Sequence, residues 1–86
     1  MSSKININPN NVKVGDRIRL IQIRDVHADV KEGDTGTVVE LTTVPKGLQS
    51  NELDLVMWIK WDSNSKSRIA LTEGIDRYEF IERVRT

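Results

Sequence analysis

The sequence predicts a small all-β domain, and two features of the chain support this. Apolar residues alternate with polar ones over several short segments, which is the period-two pattern of strands with one buried face. Clusters of Gly, Asn, Asp, Ser and Pro separate these segments, as turns and loops do. A chain of 86 residues is long enough for one such domain and too short for two.

The first predicted strand covers residues 16–23. Ile18 and Leu20 share one face of this segment, and Arg17 and Arg19 share the other. This alternation predicts a half-buried strand whose arginines point into water.

The second predicted strand covers residues 37–41, which are rich in β-branched side chains and follow a turn sequence at residues 33–36. Residues 24–33 and residues 43–54 show no sustained period and are rich in polar or turn-forming residues. We therefore expect two long loops at these positions, the second one mobile.

The third predicted strand, residues 55–62, is the strongest in the chain. Met57, Ile59 and Trp61 share one face of it, which predicts that all three lie in the core. Trp58 falls on the opposite face and is expected to point outward.

Three further elements complete the second half of the chain. A polar turn at residues 63–66 predicts a hairpin, with residues 67–71 as the returning antiparallel strand. Residues 72–76 fit a single helical turn, because Gly74 and its polar neighbours leave no room for more. Residues 77–84 form the last predicted strand.

The order of these elements is typical of an SH3-like five-stranded barrel, with a one-turn helix before its last strand. One alternative, an OB barrel, requires a helix between the third and fourth strands, and the sequence has no segment for it. The other alternative is a helix over residues 75–85, since Ile75, Tyr78 and Ile81 partly fit helical spacing. We rank the barrel first.

The first eleven residues differ in composition from the rest of the chain. They are polar and rich in Asn, and they include Pro9. Such a composition favours a flexible arm. We therefore predict an arm at residues 1–11, followed by one domain at residues 12–86.

Two parts of the sequence resemble known families. Residues 14–20 (VGDRIRL) and 33–38 (GDTGTV) are similar to the opening of KOW-like and related SH3-type barrels. Residues 59–62 (IKWD), followed by residues 69–71 and 74–78, resemble a family of short uncharacterised proteins from bacteria and their phages. That family carries the pattern V-K-W-D-[NG]-G-x-x-L-x-L-x-x-G-x-D. The resemblance implies an SH3-like fold and brings no activity and no site residues with it.

This chain departs from the family pattern at two positions. The tight turn at residues 63–66 lacks the usual glycine, although Asn64 is a residue that tolerates positive φ. The predicted loop at residues 43–54 is longer than the pattern leads us to expect. We therefore expect this loop to carry specificity of its own.

Charge and composition bear on the possible partners. Thirteen basic residues balance thirteen acidic ones, whereas a protein that coats phosphate backbones usually carries a basic excess. The chain has no cysteine, which fits a reducing compartment. Its longest apolar run, residues 55–59, is too short to span a membrane. We expect a soluble, cytoplasmic protein with no membrane association.

No group of residues in the sequence has the pattern of a catalytic site. His27 is the only histidine, and a metal or acid–base site around it would need more convergent partners than Asp25 and Asp29. No serine lies in a nucleophile-elbow pattern, and residues 33–36 lack the ending of a phosphate-binding loop. We therefore predict a non-enzymatic protein without a metal or cofactor.

The outward faces of the predicted strands provide one candidate binding surface. It consists of Trp58, Lys60, Arg68, Arg17 and Arg19. Tryptophan and arginine dominate both protein hot spots and base-stacking surfaces, so the surface suits either class of partner. The alternative for Trp58 is that the arm or the loop at residues 43–54 covers it.

Two functions follow from these observations. The first is a protein-interaction adaptor, a class that includes a phage or mobile-element factor acting on a host protein. The second is a KOW-like nucleic-acid-binding module that uses the outward Trp, Lys and Arg side chains. We favour the adaptor because the net charge is zero. We expect a monomer or weak homodimer with a protein partner.

Overall fold

The computed structural model describes residues 7–48, 51–63 and 68–85, and all of their regular structure is β. Every neighbouring pair of strands is antiparallel, in the order β4-β3-β2-β1-β5. The prediction of an all-β fold with five strands is therefore confirmed. The strands are β1 (Arg17–Gln22), β2 (Thr35–Pro45), β3 (Leu53–Trp61), β4 (Arg68–Thr72) and β5 (Arg77–Glu82).

The sheet is open over the described residues. Strands β4 and β5 form its two edges and are not hydrogen-bonded to each other, so barrel closure is not observed. The predicted one-turn helix at residues 72–76 is not observed either. Instead, the backbone N–H groups of Ile75 and Asp76 both donate to the carbonyl oxygen of Thr72, at 3.1 and 2.9 Å. Gly74, at the third position of this turn, has a φ of 86°, in the left-handed region, which a helical turn does not use.

The β2–β3 hairpin is longer than the sequence predicts. Register pairs continue as far as Pro45 and Leu53, so residues 43–45 and 53–54 belong to strands, not to the predicted mobile loop. Thr42, Thr43 and Val44 are β-branched and favour a strand. Pro45 is the last residue of β2, where the missing N–H group is tolerated. The turn propensity of Pro45 is therefore outweighed by its pairing with Leu53.

A β-bulge at Val39 keeps the apolar face of β2 on the core side. The register with β3 shifts between Val38 and Glu40. Strict alternation would turn Glu40 to the same face as Val38, which is fully buried. With the extra residue, Glu40 is exposed and Leu41 packs against the core.

The core lies on one face of the sheet, and the prediction for β3 is confirmed. Met57, Ile59 and Trp61 are each at most 1% exposed. The indole N–H of Trp61 donates to the carbonyl oxygen of Ile69 at 3.0 Å, so the largest core side chain also holds β4. The remaining buried apolar side chains are those of Val12, Ile18, Leu20, Val30, Val38, Leu55 and Leu71.

Two turns with the sequence Lys-x-Gly-Asp have the same construction. In residues 13–16 and 31–34, the aspartate N–H donates to the lysine carbonyl oxygen, at 3.0 and 2.9 Å. In both, the lysine N–H donates back to the aspartate carboxylate at 2.8 Å. Gly15 and Gly33 have φ values of 101° and 92°, which this turn requires.

The first of these turns has a further structural role. The carboxylate of Asp16 is fully buried and also accepts the N–H of Val84 at 2.7 Å. The guanidinium of Arg83 lies 3.9 Å from the same carboxylate. Asp16 therefore ties the segment after β5 to the turn before β1.

Part of the predicted arm is attached to the domain. The side chain of Asn10 donates to Glu73 at 3.2 Å and to the hydroxyl of Tyr78 at 3.1 Å. Arg83 donates to the carbonyl oxygens of Asn10 and Asn11 at 2.8 and 2.6 Å. The hydroxyl of Tyr78 donates to Glu73, and burial together with this carboxylate raises the tyrosine pKa. Residues 1–6 of the arm, and residues 64–67 around the predicted tight turn, lie outside the described residues.

Candidate functional site

The strand register aligns three residues of the predicted surface. Arg17 on β1 is opposite Thr37 on β2, and Thr37 is opposite Lys60 on β3. Lys60 is in turn opposite Arg68 on β4. These residues form one row across four strands, on the face of the sheet away from the core.

Arg17 is held in an ion pair on this face. Its guanidinium donates two hydrogen bonds to the carboxylate of Asp62, at 2.8 and 2.6 Å, and a third to the hydroxyl of Thr37 at 3.0 Å. The hydroxyl of Thr35 also donates to Asp62, at 2.7 Å. The bonds from Arg17 and Thr35 lower the Asp62 pKa to about 2. The bond to Asp62 also raises the pKa of Arg17.

The other basic residues of the predicted surface differ in their pairing. Arg19 donates to Glu79 on β5 at 2.8 Å. Lys60 is exposed and has no acidic side chain within ion-pair distance among the described residues. For Arg68 only the backbone position is described. Both outward arginines of β1 are therefore already neutralised by carboxylates.

Trp58 is half-buried on the same face. It lies between Glu40 on β2 and Ala70 on β4, and its indole N–H donates to the hydroxyl of Thr42 at 3.3 Å. Residues 43–45 and 53–54 belong to the predicted loop that was one alternative cover for Trp58, and they are paired strand residues instead. Trp58 therefore has a polar partner on the neighbouring strand.

A groove that sequence reasoning missed runs beside β4. It has a volume of about 440 Å³ and lies between β4, the segment that follows β1 and the turn before β5. Because β4 is an edge strand, the groove lies along an open side of the sheet. The signal in the sequence was an apolar residue beside charged ones in two segments, Ile23 before Arg24 and Asp25, and Ile75 before Asp76. Its lining includes Ile23, Arg24, Ile69, Ala70, Ile75 and Asp76.

One buried carboxylate fixes the shape of this groove. Asp76 is 9% exposed, and its two oxygens accept the N–H groups of Arg24 and Thr72, both at 2.8 Å. These bonds join the segment after β1, the end of β4 and the turn before β5. Since both oxygens are engaged, Asp76 positions the walls and is not itself a binding group.

The rim of the groove carries unpaired cations beside exposed apolar side chains. Arg24 lines the groove, and both Arg24 and Arg77 line a recess of about 410 Å³ that adjoins it. Neither arginine has an acidic side chain within ion-pair distance in the part of the chain that the structure describes. Val26 and Ile75, which line the same recess, are 84% and 43% exposed. The rim therefore places two arginines beside exposed apolar side chains, while the groove lining itself also includes the carboxylates of Asp25 and Asp76.

The described residues also bear on metal binding and on membrane spanning. No group of three or more His, Cys, Asp or Glu side chains there could hold a metal ion. Residues 7–48, 51–63 and 68–85 include no helix that is long and apolar enough to cross a membrane.

Comparison with protein-family models, with curated proteins and with solved structures finds no significant match to this chain.

Proposed function

We propose that this chain is a non-enzymatic protein-interaction module built on an SH3-like barrel. Two observations support the barrel. The strand order puts β1 between β2 and β5, so the first and last strands are neighbours. Bulges interrupt both the β1–β5 and the β2–β3 ladders, and bulges increase the twist and curvature that a closed sheet needs.

The observation that carries the interaction role is the groove beside β4. Peptide-recognising domains bind extended segments at exposed sheet edges, where backbone hydrogen bonds supply affinity and neighbouring pockets supply specificity. This chain has an edge strand with an adjacent groove of about 440 Å³. Concave sites with apolar walls and a few polar groups are the usual form of a binding site.

A nucleic-acid role is the second candidate, and Lys60 favours it. Lys60 is exposed, has no ion pair among the described residues and lies opposite Arg68 in the register. However, Arg17 and Arg19 would have to leave Asp62 and Glu79 before they could contact phosphates. This exchange lowers the net gain from each phosphate contact. The ion pairs therefore favour a protein partner.

The salt dependence of binding separates the two roles. We expect no DNA or RNA, single-stranded or duplex, to bind tighter than about 100 μM at physiological salt. Fluorescence anisotropy with labelled oligonucleotides, at about 50 and 200 mM salt, measures this. Sub-micromolar binding that weakens by about one log unit of affinity per log unit of salt for each phosphate would overturn the proposal. Lys60→Ala with Arg68→Ala would then flatten the slope.

A positive test uses selection from a display library of random peptides. We expect the full-length chain to enrich peptides that bind saturably as purified synthetic peptides. Nuclear magnetic resonance titration of the ¹⁵N-labelled chain then maps the contact surface. A library that yields no saturable binder, together with tight oligonucleotide binding, would transfer the function to the second candidate.

A further inference from the structure

We propose that the groove binds an extended peptide segment with alternating aliphatic and acidic side chains, which adds to the sheet as a strand beside β4. This inference rests on the proposed interaction role and specifies its partner. Aliphatic side chains of the peptide would enter the groove. Its carboxylates would lie on the opposite face of the added strand, where the long, exposed side chains of Arg24 and Arg77 at the rim would reach them.

The first argument is the backbone of β4. This strand has a neighbour, β3, on one side only. Along the other side, an edge strand presents alternate N–H and C=O groups that the sheet does not pair. The N–H and C=O groups of Thr72 are already bonded to Asp76 and to the turn before β5, so the open part of this edge lies before Thr72. After Arg68, the strand continues with Ile69, Ala70, Leu71 and Thr72, none of which is charged. Charged residues and proline are the usual means of preventing strand addition, and this stretch lacks both.

The second argument is the shape and chemistry of the groove. Its walls include Ile23, Ile69 and Ile75, and its volume of about 440 Å³ accommodates aliphatic side chains. No aromatic residue is among those described as lining the groove or the adjoining recess. Base stacking depends on aromatic platforms, so this surface suits an aliphatic peptide better than a nucleic acid.

The third argument is charge. Arg24 and Arg77 have no ion pair with any described acidic side chain, in contrast to Arg17 and Arg19. Of the carboxylates at the groove, Asp76 is engaged by two backbone N–H groups, and Asp25 accepts the N–H of His27 at 2.9 Å. An arginine binds a carboxylate through two parallel hydrogen bonds, so an acidic peptide satisfies donors that the chain leaves open.

The experiment uses the full-length chain and a synthetic nine-residue peptide that alternates valine with glutamate. Matched peptides carry glutamine or lysine in place of every glutamate. In titrations of the ¹⁵N-labelled chain, we expect the glutamate peptide to shift the amide resonances of residues 69–72 and 23–25. We expect the glutamine peptide to bind several-fold more weakly and the lysine peptide at least tenfold more weakly.

Two further measurements test the geometry. Arg24→Ala combined with Arg77→Ala should weaken the glutamate peptide at least tenfold, whereas Arg85→Ala, a matched exposed arginine, should leave its affinity unchanged. A glutamate peptide that is N-methylated at alternate residues loses the backbone donors for strand addition. The methyl groups can be placed on the odd-numbered or on the even-numbered residues of the peptide. One of these two peptides should fail to bind, because its methylated amides are those that would pair with β4.

Two results would overturn this inference. Shifts at Trp58 and Lys60 instead of the groove would show that a peptide binds elsewhere, and the interaction role would stand. Equal affinities for the glutamate and lysine peptides, or no binding of either one, would exclude an acidic aliphatic peptide as the ligand. In that case the library selection alone would decide whether the chain is an interaction module.

Discussion

The two edges of the sheet differ in how they are protected against pairing with another strand. At one edge, β5 carries Arg77, Glu79 and Glu82 among its six residues. At the other edge, β4 carries its only charged residue, Arg68, at its first position. Charged side chains on an edge strand oppose the approach of a second strand because pairing would desolvate them. The β5 edge is protected in this way, and most of the β4 edge is not.

Neighbouring residues reinforce the difference. Just after β5, Arg83 lies over the ring of Phe80, at 4.0 Å, and donates to the carbonyl oxygens of Asn10 and Asn11. The chain thus places its own N-terminal segment close to the end of β5. Beside β4 there is instead a groove with apolar walls. Natural proteins usually protect an edge that has no function, so a stretch of edge without charged residues beside a groove supports the binding site that we propose.

Trp61→Ala is expected to have the largest effect, because it removes the largest side chain beneath the β4 side of the sheet. Trp61 is 1% exposed and donates to Ile69 on β4. We expect a loss of about 3–5 kcal/mol in the free energy of unfolding, which chemical denaturation would measure. Trp58→Ala, on the half-buried outer face, is the control and should cost much less. Equal losses would mean that the two faces of β3 contribute equally.

Asp16→Ala tests the β5 side of the comparison. The change removes a buried carboxylate that accepts the N–H groups of Lys13 and Val84. We expect a loss of about 2–4 kcal/mol, since both donors become unsatisfied. Asp34→Ala is the matched control, because the same turn sequence there leaves the carboxylate at a less buried position with a bond to Lys31.

Asp34→Ala should lower the free energy of unfolding by only about 1 kcal/mol. Thermal or urea unfolding of both variants provides the comparison. If the two aspartates cost the same, the turn itself would be the source of stability, and the link to Val84 would contribute nothing.

The strand pattern was predictable to the extent that local sequence controls it. Alternation in residues 55–61 identified the buried face of β3, since Met57, Ile59 and Trp61 recur with period two. The extension of the β2–β3 hairpin was missed because the cross-strand pairing of the β-branched residues before Pro45 overrode the turn propensity of the proline.

The position of the candidate surface could be predicted from the sequence, but the ion pairs that its arginines form could not. Alternation put Arg17 and Arg19 on the outward face, and the register agrees with this. Their partners, Asp62 and Glu79, are 45 and 60 residues away in sequence. The groove combines residues from three separate segments for the same reason. Contacts over such distances depend on the tertiary fold, which local patterns do not encode.

Hydrogen exchange compares the edges directly. We expect the slowest amides in the central pairing of β2 with β3, where residues 56–60 have neighbours on both sides. The amide of Ala70 should exchange at least tenfold faster than these, because it faces away from β3 without a partner strand. The glutamate peptide should slow the exchange of the Ala70 amide. Uniform protection along β4 in the absence of peptide would contradict the assignment of an open edge.

The smallest expected effect concerns the ion pair between Arg17 and Asp62 on the outward face. The pair is partly exposed, with side-chain exposures of 34% and 47%, so solvent screens it and we expect it to contribute at most about 1 kcal/mol. The Asp62 pKa is lowered from its ordinary value of 3.8 to about 2 in the folded chain. A carboxyl group whose pKa is lower in the folded state stabilises the fold above its unfolded pKa.

This contribution is therefore fully present above about pH 5 and declines between about pH 4 and 2, as protons bind first to the unfolded chain. Unfolding free energies of the wild type and of Asp62→Asn, measured from pH 7 down to pH 2, should differ at neutral pH and converge in acid. Salt should narrow the neutral difference, since an exposed ion pair is screened. A difference that persisted at pH 2 would mean that Asp62 acts through the hydrogen bond from Thr35 and not through the charge of Arg17. The ion pair would then contribute little to the free energy of unfolding, and Arg17 could leave Asp62 to bind a phosphate at low cost.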